Sequence, residues 1–157
     1  MKRATGRALA MNMGRLFAQC RSDALASLRP SLVVPIPMFW VRKLRHGINS
    51  PEILAEWVAQ AAHAPARNRV LVRKRNTIRQ MELPPRERFR NLRNAFRLRL
   101  GYDLQGARVL LVDDVLTTGA TCSAAAETLK RAGAGFVAVA VLARAEGHTR
   151  ADPSGRA

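Results

Sequence analysis

Apolar residues recur along the chain in a helical and a strand-like spacing. Near the N terminus Leu9, Met13, Leu16, Phe17, Cys20, Ala24 and Leu28 keep to helical spacing, with Arg7, Arg15 and Arg21 between them. That pattern predicts an amphipathic helix with one face on a core. An organelle transit peptide shares this arginine-rich, acid-poor make-up, but here the helix runs into a strand without a cleavage-like linker. Leu32 to Ile36 predicts a short buried strand, punctuated by Pro35 and Pro37. Ser50 is the expected cap of a second helix, with Pro51 at its first position and Glu52 in its first turn. Its stripe of Ile53, Leu54, Trp57, Val58 and Ala61 makes Trp57 a core residue. Val70 to Val72 predicts another strand. Phe96, Leu98 and Leu100 alternate with Arg97 and Arg99, the period of a half-exposed strand. Val109 to Val112 is a continuous apolar run, which suits a central parallel strand. A helix follows over about Thr121 to Ala132, ended by Gly133, and Phe136 to Leu142 predicts a further buried strand. This order predicts an α/β domain with a mainly parallel sheet.

Composition narrows the class. Forty-eight percent of the 157 residues are hydrophobic, enough for a core and unlike a disordered basic tail. The longest apolar runs are too short to span a bilayer, so no membrane partner is expected. Two cysteines, Cys20 and Cys122, cannot alone build a disulfide framework or a four-ligand zinc site. No zinc is expected, and a reduced, cytoplasmic setting is.

The net charge of +16 is unevenly placed. Residues 1–66 carry nine cations and three anions, residues 67–99 twelve cations and two anions, and residues 101–157 six of each. The middle segment, at +10, should meet an anionic partner first. Nearly all its cations are arginine, which forks onto phosphate oxygens better than lysine does.

The most specific chemistry lies in Val109-Leu110-Leu111-Val112-Asp113-Asp114-Val115-Leu116-Thr117-Thr118-Gly119-Ala120-Thr121. Two carboxylates end a buried strand, and a small-residue loop then opens a helix, where open α/β sheets bind ligands. Backbone N–H groups around Thr118 to Thr121 and the positive end of the helix dipole form an anion socket. Gly119 lets the backbone approach a phosphate. Asp113 and Asp114 are acceptors suited to the vicinal hydroxyls of a ribose. No Gly-Lys-Ser/Thr and no Gly-x-Gly-x-x-Gly occurs, which excludes a triphosphate P-loop and a dinucleotide fingerprint.

This segment resembles the phosphoribosyl-diphosphate (PRPP) motif of type I phosphoribosyltransferases: apolar strand, acidic pair, then Thr-Gly-x-Thr. Across roughly residues 2–145 the chain is similar to the ComF family of competence-associated phosphoribosyltransferase-like proteins. Val34-Pro35-Ile36-Pro37 matches that family's first strand, and Gly47 and Asn49 fall in its Arg-Gly-Phe-Asn-Gln signature. Gln80, Leu83, Arg90, Asn91, Ala95 and Phe96 match its hood segment. The signature here reads His46-Gly47-Ile48-Asn49-Ser50, so its arginine, phenylalanine and glutamine are changed, and Phe39 stands where the family often has histidine. The family's cysteine-rich zinc module has no counterpart in these residues.

The resemblance implies a type I phosphoribosyltransferase-like fold: one domain over residues 1–146 with a basic hood at about 73–95, and a polar tail at 147–157. It implies transfer of phosphoribosyl from PRPP to a nitrogen nucleophile, with diphosphate released. Asp113 and Asp114 would be the catalytic acids, meeting the ribose or Mg²⁺, directly or through water. Thr117, Thr118, Gly119, Ala120 and Thr121 would hold the 5′-phosphate. Arg42, Lys43, Arg45 and Gly47 would bind diphosphate, and Arg75, Gln80 and Arg90 would belong to the hood. His46 and His148 are candidate proton carriers. Purine-salvage members place an acid where this chain has Thr117, so the resemblance gives little support to hypoxanthine or guanine as acceptor. Expected partners are PRPP with Mg²⁺, and DNA or the competence machinery, with a homodimer left open. Two alternatives stay open: a PRPP sensor without turnover, and a nucleic-acid-binding accessory protein. Phe89 and Phe96 are the basic segment's two aromatics, a poor stacking platform.

Overall fold

The computed structural model describes residues 2–38, 49–74, Leu92 and 94–145. Its elements are α1 (Lys2–Cys20), α2 (Ser22–Ser27), β1 (Leu32–Pro35), α3 (Ser50–Ala61), β2 (Leu71–Arg73), β3 (Phe96–Leu98), β4 (Arg108–Leu116), α4 (Ala120–Arg131) and β5 (Phe136–Arg144).

The apolar run at Val109–Val112 becomes the middle of a three-stranded parallel sheet ordered β1-β4-β5. Val33 pairs with Leu110 on one side, and Leu110 pairs with Ala138 on the other. A strand buried on both faces needs apolar residues at successive positions. Val109 and Leu111 pack with Val34, Val70, Phe96, Ala125 and Leu129 on one face. Leu110 and Val112 pack with Val33, Leu54, Ala55 and Val58 on the other. The sheet therefore lies between α4 with the β2–β3 pair and α3 with α1 and α2. After α3 the chain returns alongside β1, where Val33 N–H donates to the Pro65 carbonyl and Arg67 N–H to that of Val33.

The strand pair flanking the basic stretch forms as an antiparallel two-stranded sheet, with Leu71 opposite Leu98 and Arg73 opposite Phe96. Phe96 is buried while Arg97 is exposed, the alternation that the sequence predicts. The proposed hood between these strands lies mostly outside the described residues.

The strand expected at Phe136–Leu142 forms but is not a buried one: β5 is at the sheet's edge, with Ala140 its one buried residue and Phe136 and Val139 37% and 43% exposed. Three further local expectations change. The first helix breaks at Arg21 into α1 and α2. Its buried residues are Gly14, Ala18 and Leu25, whereas Leu9, Met13 and Leu16 are 63%, 40% and 56% exposed. The buried stripe is thus one residue, about 100°, out of phase with the apolar one. Close approach decides it: a Cβ at Gly14 would come within 2.9 Å of Trp57 Cδ1 on α3. Gly14 and Ala18 thus form the buried face of α1, while Leu25 buries α2 and Phe17 and Leu28 pack partly buried beside them. Second, α3 starts one residue early, with Asn49 rather than Ser50 as N-cap. The Asn49 carbonyl accepts from the Glu52 and Ile53 N–H groups, which fixes that boundary. Third, β4 does not stop at Val112 but runs through Leu116, because β5 also continues and pairs Val115 with Ala143 and Leu116 with Arg144.

Candidate active site

In a parallel sheet all carboxyl ends open on one edge, and each following helix begins there. Here that edge is formed by the ends of β1 and β4 and the starts of α3 and α4. Ile36 N–H donates to the Val112 carbonyl at 2.8 Å, so β1 ends directly beside the acidic pair.

Asp113 is buried and Asp114 half-buried. Asp113 Oδ1 accepts the Asp114 backbone N–H at 3.0 Å, and Asp114 Oδ1 accepts the Val115 N–H at 2.9 Å. Asp113 Oδ2 lies 3.7 Å from Cys122 Sγ, whose thiol donates to it. Burial, then the neighbouring Asp114 charge, pushes the Asp113 carboxyl from the ordinary 3.8 to about 7. Burial, then the charge of Asp113, pushes the Cys122 thiol up to about 12, so at neutral pH it keeps its proton and remains a donor.

The acids connect to the next helix through a very short loop, since Thr117 follows β4 directly and Ala120 already belongs to α4. Gly119 is the N-cap of α4 with φ 76°, a left-handed conformation that costs a residue with a Cβ. Thr118 Oγ1 accepts from the Ala120 N–H at 3.5 Å, a long contact. Thr117 is exposed, and Thr118, Gly119 and Thr121 are half-buried. The first-turn N–H groups of a helix have no intrahelical acceptor, and together with the helix dipole they favour an anion. The five residues expected to hold a phosphate thus sit together, beside the two acids.

Asn49 is 5% exposed, and among the described residues neither its Nδ2 nor its Oδ1 has a hydrogen-bond partner. A buried carboxamide without partners is costly, and this one lies at the start of α3, on the same edge of the sheet. Arg42, Lys43, Arg45, His46 and Gly47 lie outside the described residues, as do Arg75, Gln80, Arg90 and His148.

Two adjacent acids, one of them with a strongly raised pKa, leave negative charge that a cation would relieve. Among the described residues no group of three or more His, Cys, Asp or Glu side chains is placed to hold a metal. Such a pair suits Mg²⁺ shared with a ligand's oxygens and water rather than an all-protein cage.

Cys122 is the residue that sequence reasoning missed, having weighed it for disulfides and zinc alone. Its place just after Thr121, in the first turn of the expected helix, was the available signal. Cys20 is exposed and far along the chain from this edge. No described helix is long and apolar enough to cross a membrane.

Comparison with known proteins gives the family and the fold. A phosphoribosyl transferase domain model matches residues 54–156. DNA utilization protein YhgH of Escherichia coli (strain K12) is 38% identical over 115 residues, which is 73% of this chain and 50% of that protein. Competence protein F of Haemophilus influenzae is 33% identical over 117 residues, 74% of this chain and 51% of that protein. The chain spans about half the length of these curated relatives. The purine phosphoribosyltransferase of Pyrococcus horikoshii shares the fold, with a TM-score of 0.56 and 18% identity over 84% of this chain and 73% of that one.

Proposed function

The chain belongs to the phosphoribosyl transferase domain family and has ComF-like relatives, and from that premise we propose that it binds PRPP and transfers phosphoribosyl to a nitrogen nucleophile. The observation that carries the proposal is the acidic pair in the carboxyl-terminal half of β4, followed by a glycine-capped helix start, Asp113-Asp114 and Thr117–Thr121. That spacing suits a ribose with its 5′-phosphate.

In the proposed reaction the nitrogen lone pair forms a bond to C1 of the ribose. The bond from C1 to the diphosphate oxygen breaks, and its electron pair leaves with diphosphate. The displaced proton of the nucleophile passes to solvent. Thr118, Thr121 and the α4 amides anchor the 5′-phosphate and so orient C1. Asp114, the more accessible acid, accepts from the ribose hydroxyls, and its charge favours the positive ring of the transition state. Asp113 backs it from the buried side. Asp113 and Asp114 would hold Mg²⁺ with substrate oxygens, and the ion would offset charge growing on diphosphate. Arg42, Lys43, Arg45 and Gly47 are proposed to meet that diphosphate, and Arg75, Gln80 and Arg90 to close over it as a hood.

PRPP with Mg²⁺ should raise the melting temperature, since a ligand that binds the native state stabilises it by mass action. Diphosphate release with a panel of bases and amines tests turnover. Stabilisation without release from any acceptor would leave a PRPP sensor; no stabilisation would overturn the assignment.

A second reading is nucleic-acid binding in DNA use or competence. Arg67, Arg69, Lys74, Arg97 and Arg99 are exposed around the β2–β3 pair, and the relatives are named for DNA utilization in one case and competence in the other. Duplex affinity that falls steeply with salt and survives loss of the acidic pair would support it.

A further inference from the structure

We propose that Cys122 is a positioning residue, whose thiol holds the carboxylate of Asp113 and ties it to the helix that carries the phosphate loop. The proposal rests on the PRPP reading above and deepens it.

Two features of the edge require such a tie. Asp113 ends the buried part of β4, whereas Thr117 to Thr121 span a turn and the start of α4. A sugar phosphate held by both needs their separation kept to a few tenths of an ångström, because positioning energy is lost quickly when the parts drift. The backbone joins them through three residues, Thr117, Thr118 and Gly119, outside strand and helix. The Cys122–Asp113 contact closes the same loop from the buried side, linking positions nine apart in sequence.

The carboxylate is also held at both oxygens. Oδ1 takes the Asp114 N–H and Oδ2 the Cys122 thiol. A carboxylate with one donor can still turn about its last bond; a second donor on the other oxygen stops that turn. Cys122 is buried, so its thiol meets the carboxylate on the side turned away from solvent.

The alternative is that Cys122 merely fills space. Its neighbours on the helix argue against a need for volume there: Ala120 and Ala125 fill the same core with a methyl group. Of the buried side chains on α4, Cys122 is the one in hydrogen-bond contact with an acid of the site.

The experiment compares the wild-type chain with Cys122→Ala and Cys122→Ser, measuring affinity for PRPP with Mg²⁺ by calorimetry and the melting temperature of each free protein. Cys122→Ala should weaken PRPP binding about tenfold, as expected when a hydrogen bond to a charged group is lost. Cys122→Ser should return affinity to within about twofold of wild type, a hydroxyl being a good donor to a carboxylate that turns slightly to meet it. A buried hydroxyl gives no packing advantage over a methyl group, so affinity restored by serine but not alanine cannot come from core filling. Equal affinity of all three, or equal loss in both variants, overturns the positioning role and leaves the PRPP assignment standing. No PRPP binding by the wild-type chain overturns the assignment itself, and this proposal with it.

Discussion

Asp113 Oδ1 accepts the backbone N–H of Asp114 at 3.0 Å, so the first acid is bonded to the backbone of the second where β4 leaves the core. Mutual repulsion and burial then work against both being charged, and the raised pKa of Asp113 records the conflict. A protein tolerates such a pair when a ligand repays it.

The double variant Asp113→Asn, Asp114→Asn should therefore stay folded and lose its response to PRPP. At a ligand concentration about 100 times the dissociation constant, wild type should gain about 2.7 kcal/mol. The variant should gain nothing, which a thermal melt with and without PRPP and Mg²⁺ reads directly. An unchanged shift would remove the acids from the site.

The free protein should become less stable as pH rises. The folded state holds the Asp113 proton with a pKa near 7 against 3.8 for the ordinary carboxyl. Its contribution is fully present below about pH 3.8 and is lost as pH climbs through about 7. Urea unfolding at pH 5.5 and 8 should show that fall, and Asp113→Asn, neutral at every pH, should flatten it. The same variant should be more stable than wild type at pH 8 while binding PRPP poorly. A slope unchanged in Asp113→Asn would assign the effect to other groups.

Gly119→Ala should cost about 1–2 kcal/mol, the penalty for a Cβ in the left-handed region. Space is not the obstacle, since the nearest atom to an added Cβ is Leu116 Cδ1 at 3.8 Å. Denaturant unfolding measures the cost, and weaker PRPP binding should accompany it because the α4 amides are re-aimed.

Gly14→Val should lower stability by about 1–3 kcal/mol through overpacking, because α3 approaches to within 2.9 Å of the added Cβ position at Trp57. PRPP affinity should hardly change in the molecules that remain folded. A melt paired with calorimetry tests both halves.

Much of the fold was legible because its signals are local. A continuous apolar run at Val109–Val112 identifies a strand covered on both sides whatever surrounds it. Alternation at Phe96–Leu98 and the glycine at 133 work in the same way. The turn at Thr117–Thr121 was legible for a related reason: its residues are contiguous, so the strand end, glycine and helix start can be read in one segment. The α1 face was not legible. Hydrophobicity favours Leu9, Met13 and Leu16, but the close approach of Trp57 and Leu54 on α3 puts Gly14 on the buried face.

By itself the sequence determined the α/β order of elements, the place of the acidic pair and of the glycine-capped turn after it, and the +10 charge of the middle segment. Each depends on neighbours along the chain. Tertiary structure alone decided how far β4 runs, since its last residues are strand only because β5 pairs with them. It also decided which face of α1 is buried, and it brought the Cys122 thiol to Asp113. These depend on distances between parts of the chain that no spacing specifies, and in a close-packed interior a difference of an ångström separates contact from clash.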